Sequence, residues 1–388
     1  MTPAQPDVSS MRDGANEQLP AAIVYCEGFF SHIDGKTANG LVRSSERYRI
    51  AAVIDSTCPI PDAGLALGDD HLGIPVVACL SDALALSEPS VSDGRASSPR
   101  PTTFIFGLAP LSGLMSPSDR AAVFEAVACG LDIVSGLHEF LNDDDEFVRA
   151  AKKARVDLLD IRRPRPTKDL RMFDGAINTV DCVRLAVLGT DGAIGKRTTC
   201  TILTAALNAA GIHTVMVSTG QTGLMQGAKY GVALDAIPAQ FGVGELEGAV
   251  VAAWNQERPR VIVVEGQGAL SHPAYLSSTV VLRASRPHGV LLQHAPGRQR
   301  LSDYPDVPMP TPQSEIALIE RFGQTDVIGM TINHENMTDV DVEHAADQFR
   351  TEFDLPAVDA VWGDPQALVD MVMVAFPALV SDQAPAAL

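Results

Sequence analysis

The sequence lacks any run of apolar residues long enough to cross a membrane as a helix. A transmembrane helix needs about 20 consecutive apolar residues, whereas the apolar runs here, such as Val261–Val264 and Met371–Phe376, have the length of strands or core segments. Residues 1–20 also lack the basic stretch and the apolar core of a signal peptide. We therefore expect a cytoplasmic protein without a membrane partner.

Basic residues are scarce as well. The 388 residues include 29 Lys and Arg against 48 Asp and Glu, which gives a formal net charge of −19. Nucleic-acid binding needs clustered Lys and Arg that meet the phosphate backbone, so no nucleic-acid partner is expected. Hydrophobic residues make up 46% and charged residues 20% of the chain. This composition is typical of globular proteins and excludes global disorder and coiled coils.

The six cysteines carry no signature of a metal site or of a disulfide framework. They are scattered, without a CxxC pair and without a Cys/His pair at zinc spacing, so no metal is expected. Most of them lie in apolar runs and are predicted to be reduced core residues. A catalytic thiol at Cys26, after the first predicted strand, is the alternative.

Short apolar runs alternate with longer helical patterns, which is typical of an α/β fold with parallel sheets and crossover helices. Helices are predicted over Lys36–Ser45, Ser118–Cys129 and Lys196–Ala209. Strands are predicted over Ala21–Tyr25, Ile50–Asp55, Thr103–Leu108, Ile133–Ser135, Val183–Leu188, His213–Ser218, Arg260–Glu265, Gly289–Gln293 and Val327–Asn333.

The alternation divides into two domains. The first half has Rossmann-like order, although the dinucleotide fingerprint GxGxxG is missing. Within it, Ser87–Pro101 is rich in Ser and Pro and is predicted to be a loop. The predicted boundaries are a polar tail over 1–20, a Rossmann-like domain over 21–160, a basic linker over 161–180 and a P-loop NTPase-like parallel-sheet domain over 181–388.

The strongest motif is VLGTDGAIGKRTTC, residues 187–200, where an apolar strand leads through a Gly-rich turn into a helix. Such a turn directs backbone N–H groups and a helix N-terminus at an anion, and Lys196 adds a positive charge for a diphosphate. The alternative is a tight turn that happens to contain Gly-Lys. The residues predicted to bind phosphate are Gly189, Thr190, Asp191, Gly192, Gly195, Lys196, Arg197, Thr198 and Thr199.

The residue after the lysine differs from that of the usual phosphate-binding loop (P-loop). In P-loop NTPases a hydroxyl at this position coordinates Mg²⁺, whereas this sequence has Arg197 and brings hydroxyls only at Thr198 and Thr199. Thr198 can still reach a phosphate oxygen. The sequence therefore disfavours Mg²⁺-dependent phosphoryl transfer and favours simple binding of a diphosphate.

Two further strands end in polar residues. The strand in RVIVVEGQGALSHPAY, residues 260–275, ends at Glu265, which can ligate a metal, act as a base or cap the next turn. His272 is the best-placed general base among nine histidines, and a structural role is its alternative. Asn333, in VIGMTINHEN, offers an amide that can pair with an adenine edge or form a turn.

A second strand–loop–helix stretch occurs in the first half, EGFFSHIDGKTANGLVR at residues 27–43. Its glycines, Gly28 and Gly35, are too far apart for a standard P-loop. Lys36 and Thr37 can form a degenerate anion site that contributes to substrate binding. Equally, the stretch can be a long turn with Lys36 in solvent.

The motifs together resemble known families. GTDGAIGK, VEGQG and Asn333 are similar to the P-loop, the second acidic strand and the base-reading Asn of dethiobiotin-synthetase-like proteins. With STGQTG at residues 218–223 and VEGQGALSHPAY, they resemble more closely a two-domain family labelled as a domain of unknown function. The characterised branch of that family is the D-glutamate N-acetyltransferases. The resemblance covers most of the chain.

The resemblance implies acetyl-CoA-dependent N-acetylation of an amino acid, with D-glutamate or a similar acidic amino acid as the expected acceptor. Lys196 and Thr198 would bind the diphosphate of CoA without hydrolysis, Asn333 would face adenine, and Glu265 or His272 would take the proton from the amine. Residues implied to bind the acceptor are Gln221 and Thr222, after a strand of the same unit as the P-loop, and Arg298, which would pair with a carboxylate.

Two other functions stay open at this stage. One is an ATP- and Mg²⁺-dependent ligase that activates a carboxylate, as the dethiobiotin-synthetase likeness implies. The other is a nucleotide-binding regulator without turnover. Arg197, and Glu265 where the usual residue is Asp, favour the acetyltransferase over the ligase. The sequence does not determine the oligomeric state, and a homo-oligomer is compatible with it.

Overall fold

The computed structural model describes residues 19–87, 99–110 and 112–379. Most of the predicted polar tail and of the predicted loop Ser87–Pro101 lies outside the described residues. The chain divides into two compact units: the first takes the residues up to Pro164 with Gln221–Ala228, and the second takes Arg165–Gly220 and the residues from Lys229. This division falls inside the predicted linker 161–180.

The first unit is built on a parallel sheet with strand order β3-β2-β1-β4-β5-β6. This is the strand order of the Rossmann fold. The strands are β1 Ala21–Tyr25, β2 Arg49–Ile54, β3 Val76–Val77, β4 Thr103–Phe106, β5 Asp132–Ser135 and β6 Leu158–Asp160. Four of them confirm predicted strands to within two residues at each end. The short strands β3 and β6 were not predicted.

Helices cover this sheet. In the described part of the first half of the chain they are α1 Lys36–Arg43, α2 Ala63–Ala66, α3 Leu80–Ala85, α4 Pro117–Ala128 and α5 Asp145–Ala154. Strands β1 and β4 are buried along their whole length, as expected for a sheet covered on both faces. The ring of Tyr25 packs 5.6 Å from both Phe104 and Phe106 in this core.

The second unit contains a larger parallel sheet with strand order β13-β12-β11-β7-β10-β8-β9. The strands are β7 Val183–Gly189, β8 Thr214–Ser218, β9 Tyr230–Gly231, β10 Val261–Glu265, β11 Gly289–His294, β12 Asp326–Ile332 and β13 Ala357–Asp359. The chain order reverses around β7, and ligands of open α/β sheets bind at the carboxyl ends of strands beside such a switch point. The predicted fold class, two parallel-sheet α/β domains, is confirmed.

The helices of the second half are α6 Lys196–Ala209, α7 Gln221–Gln226, α8 Ala239–Glu257, α9 Ser277–Ser285, α10 Pro312–Gly323, α11 Asp339–Phe353 and α12 Pro365–Ala375. The predicted helix Lys196–Ala209 is confirmed with the same bounds. No helix within the described ranges is both long and apolar enough to span a bilayer.

Helix α7 belongs to the first unit, although its sequence follows the second strand of the second unit. Met225 is fully buried in the first unit's core. Gln226 donates from Nε2 to the carbonyl oxygens of Gly40 and Ser44, both at 2.7 Å. The prediction that Gln221 and Thr222 share a unit with the P-loop is therefore wrong, because apolar and amide contacts return this segment to the first unit.

The start of the second unit is fastened to α8. Glu245 accepts hydrogen bonds from Nη2 of Arg165 and from the backbone N–H of Arg171, both at 2.6 Å. Buried Glu247 accepts from the N–H groups of Asp174 and Ile177, both at 3.1 Å. Part of the predicted basic linker is thus packed structure, held by acidic side chains of one helix.

Gly244 directly precedes Glu245 on α8, where the backbone of residues 171–173 crosses the helix. A Cβ at Gly244 would lie 2.4 Å from the carbonyl oxygen of Arg171 and from the carbonyl carbon of Met172. Such distances are far below van der Waals contact, and both obstacles are backbone atoms. Gly242, on the same helix, has only methyl carbons of Val280 at 3.6 Å from the corresponding position.

We expect Gly244→Ala to lower the free energy of unfolding of the second unit by about 1–3 kcal/mol, because the added methyl group forces backbone apart. Gly242→Ala is the matched control and should be neutral or stabilising by up to about 1 kcal/mol, since alanine favours helix. Urea denaturation followed by far-UV circular dichroism measures both. Equal stability of the two variants would contradict the close approach of the Arg171–Met172 backbone to Gly244.

Candidate functional site

The P-loop, residues 189–196, connects the central strand β7 to α6. Gly195 has φ +97° and Ala193 has φ +49°, both in the left-handed region. A Cβ at Gly189 would lie 2.8 Å from Cδ1 of Ile194 and 2.9 Å from the carbonyl oxygen of Gln293. The loop therefore needs glycine at 189 and 195 to close. It leads into the N-terminus of α6, whose first N–H groups lack helical partners and favour an anion.

Lys196 is folded back onto this loop. Its Nζ donates to the backbone carbonyl of Asp191, and the side chain is buried. Burial lowers the pKa of Lys196 to about 8, although the negative charges of Asp191 and Glu265 oppose this shift. The ammonium group is mostly protonated at pH 7 and lies within the loop that was predicted to bind phosphate.

Asp191 organises the loop. Its buried carboxylate accepts from the N–H of Gly192 at 2.6 Å, from the N–H of Ser302 at 2.8 Å and from Nη1 of Arg298 at 2.7 Å. Arg298 also donates to the carbonyl oxygen of Gly192 at 3.0 Å and to the carboxylate of Glu335. The guanidinium that was predicted to pair with an acceptor carboxylate thus holds the P-loop in this structure.

A polar layer lies between the loop and the sheet. Thr199 and Thr331 both donate to Oε1 of buried Gln293, at 2.6 Å and 2.5 Å. The hydroxyl of Thr190 lies 2.9 Å from Nδ1 of His294, and burial lowers the pKa of His294 to about 4. Two of the predicted phosphate ligands, Thr190 and Thr199, therefore form hydrogen bonds to side chains of the protein. Arg197 and Thr198 are half-buried on the first turn of α6.

Asn333 ties the end of β12 to the same loop. Its Nδ2 donates to the carbonyl oxygen of Ile194 at 3.0 Å, and its Oδ1 accepts from the N–H of Glu335 at 2.8 Å. Asn333 thus lies beside the P-loop and forms a turn, as in the alternative to adenine recognition. The recognition of adenine by Asn333 stays a prediction.

Glu265 lies at the carboxyl end of β10, next to β8. Its Oε2 accepts from the hydroxyl of Ser218 and from the N–H of Thr219, the latter at 3.0 Å. No hydrogen bond from a described residue reaches Oε1, and the side chain is buried. Its negative charge favours the protonated form of Lys196. The carboxylate is thus fixed through one oxygen and keeps the other available.

His272 follows in the loop after β10. The ring is stacked on Tyr275, with centroids 4.3 Å apart and an angle of 15°, and lies 5.8 Å from the ring of Tyr304. Tyr275 donates from its hydroxyl to Oδ2 of Asp303 at 2.6 Å. Burial lowers the pKa of His272, although Asp191 and Asp303 act in the opposite direction. This shift favours the neutral imidazole.

The loop before His272 is fastened by Glu315, a fully buried residue near the start of α10. Its carboxylate accepts from the N–H of Leu270 at 2.7 Å and from the N–H of Ser271 at 3.3 Å. It also accepts from the hydroxyl of Ser271. Glu315 and Asp303 are absent from the residues predicted from the sequence, because each lies at least 28 residues from the loop it contacts and neither belongs to a motif.

The remaining predicted substrate residues lie in the first unit. The hydroxyls of Thr222 and Thr37 are 2.9 Å apart, and Nε2 of Gln221 donates to Thr37 at 3.5 Å. The structure thus brings Gln221 and Thr222 to the helix that begins at Lys36, whose own side chain is exposed. The binding of a substrate by these three residues stays a prediction.

The loop after β1 is closed by an acid. Asp55, after β2, accepts from the N–H of Gly28 at 3.0 Å and from the N–H of Phe30 at 2.9 Å. Burial raises the pKa of Asp55, but these bonds and those from Thr57 outweigh it and hold the pKa below its usual range. Backbone groups that an anion would need are therefore occupied.

Among the described residues, no three His, Cys, Asp or Glu side chains group as metal ligands.

Two family models match this chain. The one described as "Domain of unknown function (DUF1611_C) P-loop domain" matches residues 171–369, just over half of the chain. The one described as "Domain of unknown function (DUF1611_N) Rossmann-like domain" matches residues 61–164. The two matches follow the order of the two sheets.

Individual proteins are similar over most of their length. A "D-glutamate N-acetyltransferase" of Tritonibacter scottomollicae is 27% identical over 293 residues, 74% of this chain and 85% of that protein. One of Pseudoalteromonas sp is 29% identical over 263 residues, 66% of this chain and 77% of that protein. A crystal structure of a DUF1611 family protein from Anabaena variabilis ATCC 29413 matches with a TM-score of 0.81 and 27% identity, covering 92% of this chain and 99% of that one.

We expect Asp191→Asn to lower the free energy of unfolding of the second unit by about 3–5 kcal/mol, because it leaves Arg298 without its buried counter-charge. The matched control is Glu335→Gln, which removes the other carboxylate on Arg298. Since the Glu335 side chain is 38% exposed and that of Asp191 only 1%, its loss should cost about 1 kcal/mol or less. Urea denaturation compares them, and equal losses would show that Asp191 does not organise the loop.

Proposed function

Because this chain belongs to the DUF1611 family, we propose that it is an N-acetyltransferase, which transfers acetyl from acetyl-CoA to the amine of an acidic amino acid. Two relatives whose printed name is D-glutamate N-acetyltransferase support this proposal. The observation that carries it is a P-loop whose lysine is followed by Arg197, beside a carboxylate with one oxygen available.

The residues of the P-loop fit the diphosphate of CoA. Lys196 supplies a positive charge, the N-terminus of α6 supplies N–H donors, and Thr198 is the nearest following hydroxyl on that helix. Thr199 is occupied by Gln293. With Arg197 in the position of the Mg²⁺-binding hydroxyl, the loop is suited to hold a diphosphate rather than to transfer a phosphoryl group. Asn333 is our proposed neighbour of the adenine ring.

The chemistry requires a proton acceptor. An amino acid is mostly an ammonium ion at neutral pH, so its nitrogen must lose a proton before it attacks the thioester carbonyl. The C–N bond then forms, the C–S bond breaks, and the second proton that the nitrogen gives up converts the leaving thiolate of CoA into the thiol. We assign the proton acceptor to Glu265, because its Oε1 is available while Ser218 and Thr219 fix Oε2.

The acceptor would be recognised through its carboxylates. In the first unit, exposed Lys36 is the proposed cation, and Gln221 and Thr222 are the proposed hydrogen-bonding residues. Arg298 is the weaker candidate, since Asp191 and Glu335 already occupy its guanidinium. These assignments rest on the family resemblance and on the clustering of Gln221 and Thr222 around Thr37.

We expect the purified protein to release free CoA thiol from acetyl-CoA when an amino acid is supplied, with D-glutamate the most effective of a panel of D- and L-amino acids. Glu265→Gln keeps the shape of the side chain but removes the proton acceptor, so it should lower kcat by about 10²–10⁴-fold. A thiol-reactive chromophore measures the release of CoA thiol, and hence kcat, for the wild type and for the variant. If no member of the panel stimulates thiol release, the acetyltransferase proposal is wrong.

Ligand binding gives a separate prediction. We expect acetyl-CoA to bind without Mg²⁺ and more tightly than ATP, because Arg197 replaces the metal-binding hydroxyl. The affinity should stay constant below pH 8 and fall above it by up to about tenfold per pH unit, since Lys196 loses its proton at a pKa of about 8. Isothermal titration calorimetry between pH 6.5 and 9.5 measures this profile.

Two variants serve as controls for the binding profile. Lys196→Arg keeps the positive charge across this range, so its affinity should not fall above pH 8. Lys196→Ala should bind weakly at every pH and retain the far-UV circular dichroism spectrum. Mg²⁺-dependent binding of ATP together with no binding of acetyl-CoA would instead favour a carboxylate-activating ligase.

A further inference from the structure

His272 carries a buried polar atom without a partner. The residue is only 5% exposed, and its Nε2 has no hydrogen-bond partner among the described residues. Leaving such an atom unpaired in the interior is unfavourable, and native proteins keep few of them. The ring is not loose, since it is stacked on Tyr275. An unpaired polar atom on a fixed ring in a candidate site is suited to bind a ligand.

The other ring nitrogen determines what Nε2 can do. Nδ1 of His272 accepts a hydrogen bond from the backbone N–H of Ala274 at 3.2 Å. A neutral imidazole has one protonated nitrogen, so its hydrogen must lie on Nε2. Protonation of both nitrogens would turn an N–H towards the N–H of Ala274. Nε2 is therefore a donor and has no lone pair with which to accept a proton.

A chain of contacts connects the ring of His272 with the P-loop. Tyr275, stacked on the ring, donates to Oδ2 of Asp303, and that oxygen lies 3.8 Å from the position of a Cβ on Gly192. The charged groups that act on His272 are Asp191 and Asp303, which favour its protonation, and Lys196, which opposes it. Two of these three residues, Asp191 and Lys196, belong to the P-loop. His272 is therefore close enough to the expected diphosphate site for the charges of the P-loop to act on it.

We propose that His272 is a neutral hydrogen-bond donor in catalysis, and not the base, and that its Nε2–H binds the carbonyl oxygen of the acyl thioester. The inference rests on the function proposed above. When the C–N bond forms, the carbonyl electron pair moves onto oxygen, and Nε2–H stabilises this charge. When the C–S bond breaks, the pair returns, and His272 keeps its proton throughout. A donor in a buried, preorganised site stabilises such a developing charge most effectively.

The carbonyl oxygen is favoured over a phosphate oxygen by charge. The diphosphate is permanently charged, and Lys196 and the N-terminus of α6 already meet it. A neutral donor contributes most to catalysis where negative charge appears only in the transition state. Burying a neutral imidazole also costs less free energy than burying a charged one. Experiments can distinguish a hydrogen bond to the thioester carbonyl oxygen from one to a phosphate oxygen.

The first test is independent of turnover. Long-range ¹H–¹⁵N spectra of the ¹⁵N-labelled protein, compared with those of His272→Gln, identify the His272 signals among those of nine histidines. We expect the Nε2–H tautomer from pH 6.5 to 8, in the free protein and with acetyl-CoA bound. An Nδ1–H tautomer, or a doubly protonated ring at pH 7, would overturn the assignment even if the protein is an acetyltransferase.

The second test uses two variants of different chemistry. Gln keeps an N–H donor but cannot act as a base, whereas Ala removes both functions. We expect His272→Ala to lower kcat by about 10²–10³-fold and His272→Gln to lower it by less than tenfold. The affinity for acetyl-CoA should change by less than threefold in either variant, and calorimetry measures it even if one variant is inactive.

Three outcomes would overturn the proposal. Equal loss of kcat in the Gln and Ala variants, with unchanged melting temperatures, would show that the imidazole acts as a base. A tenfold loss of affinity for both CoA and acetyl-CoA at unchanged kcat would place the donor on a phosphate. Activity of His272→Ala equal to that of the wild type would remove His272 from the reaction. Failure of the wild type to release thiol would instead contradict the proposed function. The tautomer of His272 is measured independently of that result.

Discussion

The buried carboxylate of Asp191 is the interaction on which the candidate site depends. It accepts from the N–H groups of Gly192 and Ser302 and from the guanidinium of Arg298, so it joins the P-loop to the loop that follows β11. A carboxylate removed from water is tolerated only with such donors, because an unpaired buried charge is costly. The residue after Ser302 is Asp303, which binds Tyr275. One carboxylate thus sets the position of the P-loop and of the aromatic cluster around His272.

Burial then sets the charge of the site. Desolvation lowers the pKa values of His272, His294 and Lys196, and Asp191 and Glu265 partly offset this effect at Lys196, whose pKa of about 8 leaves it mostly protonated at pH 7. An anion that binds at the P-loop meets a positive charge already held in place and hydrogen-bond donors that need no reorganisation. In the proposed reaction the proton acceptor is Glu265, the buried carboxylate of this set with an oxygen free of described partners.

The sequence predicted features set by local patterns and missed those set by distant contacts. The alternation of apolar strands with helices, and the Gly-Lys turn after β7, are local, and both sheets and α6 follow from them. Strand β3 has two residues, too few for a periodic signal. Helix α7 follows a strand of the second unit, but the core contact of Met225 assigns it to the first. The tautomer of His272 depends on the N–H of Ala274 in the folded loop, which no spacing rule contains.

The two units share one local plan but differ in how an internal carboxylate meets the loop. Each has a strand, a glycine-containing loop and a helix that begins with lysine, at Lys36 and at Lys196. In the first unit Asp55 takes the N–H groups of Gly28 and Phe30, so the loop's donors bind an internal carboxylate. In a dinucleotide-binding Rossmann fold the acid after the second strand is directed at a ribose instead. The shared plan therefore does not leave the same backbone donors available in both loops, because Asp55 already accepts from two N–H groups of the first loop.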